Sequence, residues 1–279
     1  GLQQEDGWGY PFPWANRHFH VQAGTPASVP SAFAVHALLD AVEAGVLTTA
    51  DLAPPLEKAA RFFAERLNRV RTEHGLMLSY TPEDRRAVHN ASLLSASALE
   101  RLGVRLGDAN LTELARELTQ TGLRAQRRDG MWPYGVSARD GWVDSYHVGY
   151  ILSALRRLQA LSGDAELRAA LDRGYDGWRA AFLAGPAVAL RPGSAYPVDS
   201  HAVAQGLLTL VEFSEERADA GSAAVRITGW ALDHLRRRDG SFIMTKGRFL
   251  TNRVPYLRWV QAWMFRALAG VARLETGFP

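Results

Sequence analysis

Two aspartates in this 279-residue chain stand in the same short context, Val143-Asp144-Ser145 and Val198-Asp199-Ser200. Each opens a helical stretch, and each is followed within one turn by a histidine, His147 and His201. A pair of carboxylates that converges on one cavity can cleave a glycosidic bond, one acting as acid and the other as base or nucleophile. Either aspartate can equally be an N-cap that accepts bonds from the first helical amides. Asp84, in Tyr80-Thr-Pro-Glu-Asp84, is a third candidate carboxylate. His89, His147 and His201 fall in the first turns of three successive buried helices. Imidazoles titrate near neutrality and can carry protons to and from a sugar carbon; the plainer reading is that they pack and hydrogen-bond neighbouring loops. A metal site is not expected, because the i,i+4 histidine spacing that zinc favours is absent and there is no cysteine. No cofactor is expected either; a Gly-rich phosphate loop, a Gly-x-Ser-x-Gly elbow and a cysteine nucleophile are all missing.

Aromatic and polar side chains surround these groups in sequence. Trp8, Tyr10, Trp14, Tyr80, Trp132, Tyr134, Trp142, Tyr196, Tyr256 and Trp259 lie in loops that enter helices, with Gln261 just beyond them. Aromatic faces stack on pyranose C–H faces while a few polar groups take the hydroxyls. Arg17, Arg253 and Arg258 are candidates for a bidentate grip on an acidic sugar or phosphate. The alternative is that the aromatics plug the fold and the arginines pair with Asp84, Asp144 or Asp199.

The elements that must position these residues are helical. A phrase ending in Asp-Gly occurs three times, as Leu2-Gln-Gln-Glu-Asp-Gly-Trp8, Arg124-Ala-Gln-Arg-Arg-Asp-Gly-Met-Trp132 and Leu235-Arg-Arg-Arg-Asp-Gly-Ser-Phe242. Each copy closes a polar stretch, opens an aromatic loop and leads into a helix rich in small residues, the mark of a repeated unit. Period-3.6 apolar spacing and terminal glycines predict helices over 30–45, 56–69, 89–103, 111–127, 145–162, 164–183, 200–216, 221–237 and 258–275. Short strands are predicted at Leu76–Tyr80 and around Lys246-Gly247. Helices starting near 30, 89, 145, 200 and 258 are apolar on most sides and predicted to be buried; those over 56–69, 111–127, 164–183 and 221–237 are amphipathic and predicted to cover them.

This alternation predicts an all-α fold, an α/α toroid of helical hairpins. An open solenoid is the rival, but the repeat is longer than a solenoid's and its excess lies in one class of loop. No linker-like composition divides the chain, so 1–279 reads as one toroid domain. Five inner and four complete outer helices fall short of a six-hairpin ring. The copy at Leu2–Trp8 reads as the tail of an outer helix, so on the order of 80–100 residues before Gly1, or an adjoining chain, are expected to complete the ring.

Composition excludes other classes. The formal net charge is only +3, and the arginines sit in pairs among acids on amphipathic helices, so a nucleic-acid partner is not expected. No apolar run reaches the roughly 18 residues of a membrane span, and the N-terminus has no signal-peptide pattern; a cytoplasmic location is expected.

Trp8-Gly-Tyr-Pro-Phe-Pro-Trp14, Ala23-Gly-Thr-Pro26, Ser79-Tyr-Thr-Pro82, Val88-His-Asn90, Trp142-Val-Asp-Ser145, Tyr196-Pro-Val-Asp199 and Thr251-Asn-Arg-Val-Pro-Tyr-Leu-Arg-Trp259 together give the chain its resemblance to a family. It resembles a bacterial family of six-hairpin-glycosidase-like proteins, whose members tend to occur beside polysaccharide-biosynthesis genes. The resemblance spans nearly the whole chain and implies the α/α toroid. More distantly the toroid is shared with unsaturated-uronide hydrolases, which use Asp, with N-acyl-glucosamine epimerases, which use His, and with uronyl C5-epimerases and terpenoid cyclases. The leading expectation is a carbohydrate-active enzyme that cleaves a glycan or polysaccharide precursor as hydrolase or lyase, with acid/base chemistry in the toroid cavity. The alternatives are a sugar or uronyl epimerase using cavity histidines, a non-catalytic glycan-binding or scaffold protein, and a terpenoid cyclase, against which stands the missing Asp-x-Asp-Asp motif.

Overall fold

The computed structural model describes residues 3–4, 6–15 and 20–276. Among them nine α-helices dominate: α1 Ser28–Glu43, α2 Thr49–Arg61, α3 His89–Leu106, α4 Ala109–Arg124, α5 Ser145–Ser162, α6 Ala165–Phe182, α7 Ser200–Glu212, α8 Ala220–His234 and α9 Ala262–Thr276. Every predicted helix is present. The largest differences are at α2, which starts at Thr49 with Pro54 and Pro55 inside it and passes into a π-helical turn, Phe62–Arg66. The predicted helix does not continue to 69, because Arg69–Thr72 pairs antiparallel with Gly75–Leu78. β-Branched Val70 and Thr72 suit that hairpin better than a helix end.

The chain forms two compact units. The first comprises 1–126, 133–142 and 154–168, the second 127–132, 143–153 and 169–279. In the first, α1 packs on α3 and α3 on α4. In the second, α7 packs on α8 and α9. Burial follows the two predicted kinds of helix. α3 is buried at nearly every position from His89 to Gly103, and α7 is buried throughout Ser200–Leu210. α4 and α8 bury single stripes, such as Leu111, Leu114, Ala115 and Leu118 in α4. α9 departs from expectation: it buries only Met264, Ala267 and Val271, because its packing on α7 and α8 covers one side of it.

In its second and third copies the Asp-Gly phrase is a turn; in the first, Gln3–Gln4 pairs antiparallel with Gly7–Trp8 in place of the helix tail expected there. In the second copy the Gly130 amide donates to the Arg127 carbonyl and the Arg127 amide to the Met131 carbonyl. The third copy repeats this bond for bond, with Gly240 on Arg237 and Arg237 on Ser241. Asp129 and Asp239 each accept the amide two residues on, and Gly130 and Gly240 hold φ of 82° and 84°, where a side chain is strained. The second turn docks on α6: a Cβ at Gly177 would strike the Asp129 carbonyl oxygen, and one at Gly130 the Arg173 carbonyl. Gly177→Ala is therefore expected to destabilise the fold by about 2–3 kcal/mol, as other overpacking changes do. The measurement is a lower urea midpoint at constant m-value.

Candidate functional site

Asp144, His147, Asp199 and His201 all lie in the second unit, at the first turns of α5 and α7. Backbone contacts hold both turns. The Ser145 amide donates to the Leu190 carbonyl, and the Ser145 carbonyl accepts from the fully buried Trp178 indole of α6 at 3.0 Å. The Ser200 amide donates to the Met244 carbonyl, and Val198–Asp199 pairs antiparallel with Thr245–Lys246. Farther along, Gly149 lets α5 approach α7 closely, for a Cβ there would sit 2.8 Å from Gln205 Cγ.

Asp144 is 2% exposed and engaged by His147 twice. One oxygen accepts the His147 amide at 2.8 Å and the other meets the His147 Nδ1 at 2.7 Å. A carboxylate at Nδ1 keeps the proton on that nitrogen and directs Nε2 away from itself, orienting the imidazole. Asp199, 7% exposed, caps α7 through Oδ1, which accepts the amides of His201 and Ala202 at 2.9 and 3.0 Å. Its Oδ2 takes no hydrogen bond among the described residues. Burial pushes the Asp199 carboxyl up to about 6; its two amide bonds oppose this, and the neighbouring Asp144 charge adds to it. One oxygen of this side chain thus caps the helix while the other is left without a hydrogen bond.

His201 is fully buried, and both ring nitrogens are occupied. The Trp259 carbonyl, 2.9 Å from Nδ1, can only accept, so Nδ1 carries the proton. Nε2 then accepts from the Tyr150 hydroxyl. Burial first, and the nearby His147 and Arg258 next, lower the imidazole to about 3 against the Trp259 bond, so it is neutral at working pH. It stacks on Trp259 at 4.0 Å between centroids, with Trp263 and Tyr146 edge-on. Tyr146 also touches the His147 ring and meets Trp259 edge-on. Tyr146, Tyr150 and Trp263 escaped the sequence reading. The signal was available: Tyr146 and Tyr150 flank His147 at i,i+4 spacing, and Trp259 and Trp263 share that spacing.

The remaining second-unit candidates differ in what they offer. Trp132 is 1% exposed and packs under α6 at Gly174, so it presents no face to a ligand. Gln261 spends both ends of its amide on the Phe242 backbone, clamping that loop. Tyr196, Tyr256, Arg253 and Arg258 are exposed, with the Arg258 guanidinium 5.6 Å over the Trp259 ring.

The first unit holds the other candidates. Asp84 is consumed by its own loop, accepting from the Tyr80, Thr81 and Arg86 amides and the Thr81 hydroxyl. Tyr134 and Trp142 stack face to face at 4.4 Å. Tyr10, Trp14 and Tyr80 form a second aromatic group, with Tyr10 edge-on to Trp14 and Trp14 tilted on Tyr80. Trp8 is buried and its backbone exchanges bonds with the Ser31 hydroxyl. Arg17 lies outside the described residues. His89 is buried, and burial, with His74 adding, lowers it to about 4. A pair not foreseen from sequence, half-buried Arg86 with buried Asp140 at 2.8 Å, ties the Ala138–Asp140 turn in place. Among the described residues no group of three His, Asp or Glu side chains could hold a metal ion, and no helix is long and apolar enough to cross a membrane.

Three of the groups shifted by burial, His89, His201 and Asp199, contribute a pH dependence. Between pH 6.5 and 4 the unfolded chain takes protons on His89 and His201 that the folded chain refuses. The folded chain takes one on Asp199 below about pH 6, offsetting one of them. From these groups stability falls by about 1.4 kcal/mol per pH unit between pH 6 and 4. Melting temperature should drop over that window, and His89→Gln should flatten the slope; a constant melting temperature would refute the assignment.

No protein-family model matches the chain, and no curated protein matches it. Solved structures do match. An unsaturated glucuronyl hydrolase from Bacillus sp. GL1, described as responsible for the degradation of glycosaminoglycan, is 16% identical with a TM-score of 0.63, covering 90% of this chain and 80% of that one. A GH76 α-mannanase from Bacteroides thetaiotaomicron is 12% identical with a TM-score of 0.70, covering 97% and 78%. A cellobiose 2-epimerase from Bacillus thermoamylovorans is 12% identical with a TM-score of 0.65, covering 92% and 74%. These are six-hairpin-glycosidase-like proteins, and the α/α-toroid fold is the fold of this chain.

Proposed function

We propose that this chain is a carbohydrate-active enzyme that cleaves a glycan, with Asp199 as the general acid and the Asp144–His147 pair as the base. The observation that carries the reading is the divergence of two buried carboxyls in electrostatic contact. Asp199 has its pKa raised to about 6 and an oxygen without a hydrogen bond, while Asp144 accepts two N–H groups of His147. Two neighbouring carboxyls in unlike environments are the usual division of labour between acid and base.

In this reading Asp199 Oδ2 gives its proton to the leaving glycosidic oxygen. Asp144 and His147 accept a proton, from a water that attacks the sugar carbon in hydrolysis or from a ring carbon in elimination. Trp259 and Tyr146 supply aromatic faces for the sugar, and Arg258 a charge for an acidic substituent. His201 is a positioning residue: neutral and held at both nitrogens, it fixes Trp259 and Tyr150 and has no proton to exchange. That neutrality weighs against epimerisation by two histidines, although the cellobiose 2-epimerase shares the fold. The hydrolases among the fold neighbours support cleavage at the level of fold alone.

The test is a glycan panel assayed with the full chain for new reducing ends and for unsaturated products. A panel should include uronic-acid-containing and neutral oligosaccharides. Binding without turnover across the panel would favour the non-catalytic alternative. Tyr150→Phe removes the hydroxyl bonded to His201 Nε2 and leaves a buried acceptor unmatched, so the melting temperature should fall by an amount equal to about 1–3 kcal/mol. An unchanged melting temperature would mean that the bond does not hold His201.

A further inference from the structure

A cavity of about 490 Å³ in the second unit is lined by Arg236, Arg237, Arg238, Lys246, Arg253 and Asp239, with His234, Thr251 and two apolar side chains completing it. Five cations face one acid. Arg237 pairs with Asp239 at 3.3 Å. Arg236, Arg238, Lys246 and Arg253 have no carboxylate partner among the described residues. Like charges gathered around a concavity repel one another and raise the local potential, a cost that an anion would relieve.

Strand register separates this cavity from the carboxylate pair. Lys246 pairs with Val198 and Thr251, whereas Thr245 pairs with Asp199 and Asn252. Paired residues share a face of a sheet and successive residues alternate. Lys246 and Thr251, which line the cavity, therefore lie on the face opposite Asp199. The chain holds only two lysines, and one of them stands here.

We infer that this cavity is a second binding site, for a ligand carrying at least two oxyanion groups. Guanidinium forks take sulfate, phosphate or carboxylate oxygens bidentately, and the ammonium of Lys246 and the hydroxyl of Thr251 add donors. A volume near 490 Å³ exceeds what a single small anion fills and lies within the usual range of small-molecule pockets. The inference does not depend on the carboxylates being catalytic.

Calorimetric titration of the full chain tests it with three probes: inorganic pyrophosphate, a disulfated disaccharide and uncharged cellobiose. Saturable binding of pyrophosphate or the sulfated sugar, weakening as salt is raised, is the expected result, and the tighter of the two names the source of the oxyanions. Arg238→Ala and Arg253→Ala, both at exposed positions, should each weaken it by roughly tenfold, as the loss of a charge-assisted contact does. Lys246→Met should do the same. Asp199→Asn should leave it intact. Failure of both anionic probes to bind, equal binding of cellobiose, binding that survives the Arg238→Ala/Arg253→Ala double variant, or binding lost in Asp199→Asn would each overturn the inference.

Discussion

Asp199→Asn is expected to reduce turnover by at least a hundredfold while making the protein more stable above pH 6. The two effects share a cause. Burial holds the Asp199 carboxyl at about 6, so above that pH the folded chain must keep a buried carboxylate ionised. Relative to an ordinary value of 3.8, the roughly two-unit rise corresponds to about 3 kcal/mol of stability, present at low pH and lost as pH rises through the folded pKa. Asparagine keeps the cap, since its carbonyl oxygen can still accept the His201 and Ala202 amides, and it removes both the charge and the transferable proton. Melting temperature at pH 8 should therefore rise as kcat falls. The wild-type kcat/KM should decline above about pH 6, and that limb should be missing from any residual activity of the variant. Full activity in Asp199→Asn would remove it as the acid. An unchanged melting temperature at pH 8 would mean that the carboxyl is not strained by burial.

Asp144→Asn is the second large effect. The amide can still accept the His147 amide through its oxygen, but its NH₂ cannot accept a proton from Nδ1 as the present carboxylate oxygen does. Either the imidazole shifts its proton to Nε2, which removes the base, or the side chains turn apart. Turnover should fall at least a hundredfold, as losing the orienting carboxylate of an acid/base histidine generally costs several orders of magnitude. Replacing the neighbouring charge should also bring the Asp199 carboxyl down, because Asp144 is one of the causes of its rise. Proton NMR of the Asp199 carboxyl in Asp144→Asn reads this coupling, which a merely structural Asp144 would also show; only the loss of turnover with a retained melting temperature assigns it to the chemistry.

The helices and their alternation were legible because their causes are local. Apolar residues at i, i+3, i+4 and i+7 place a buried stripe wherever the chain is helical, and all nine predicted helices are found among the described residues. The Asp-Gly turns of the second and third copies were legible for the same reason: an aspartate that bonds the amide two residues on, followed by a glycine able to hold positive φ, makes the same turn at Asp129-Gly130 and at Asp239-Gly240. The fold class followed from that alternation. Residue types at helix starts also marked Asp144, His147, Asp199 and His201 as candidates.

What these residues are in place to do was decided by tertiary structure. Whether Asp84 faces a ligand or its own loop depends on where the Tyr80, Thr81 and Arg86 backbone lies. Trp132 and Trp259 are the same residue type in similar sequence settings, yet one is buried under α6 and the other stacks on His201. His147 and His201 share a sequence context, but one meets a carboxylate and the other a carbonyl and a phenol. The Asp199 proton depends on desolvation, which sums over atoms brought in from α5, α7 and the strand at Thr245–Lys246. By itself the sequence determined which residues begin which helices, since propensity and periodicity act over one or two turns. Protonation states, and which faces remain open to a ligand, arise only when segments far apart in the chain exclude water from the same place.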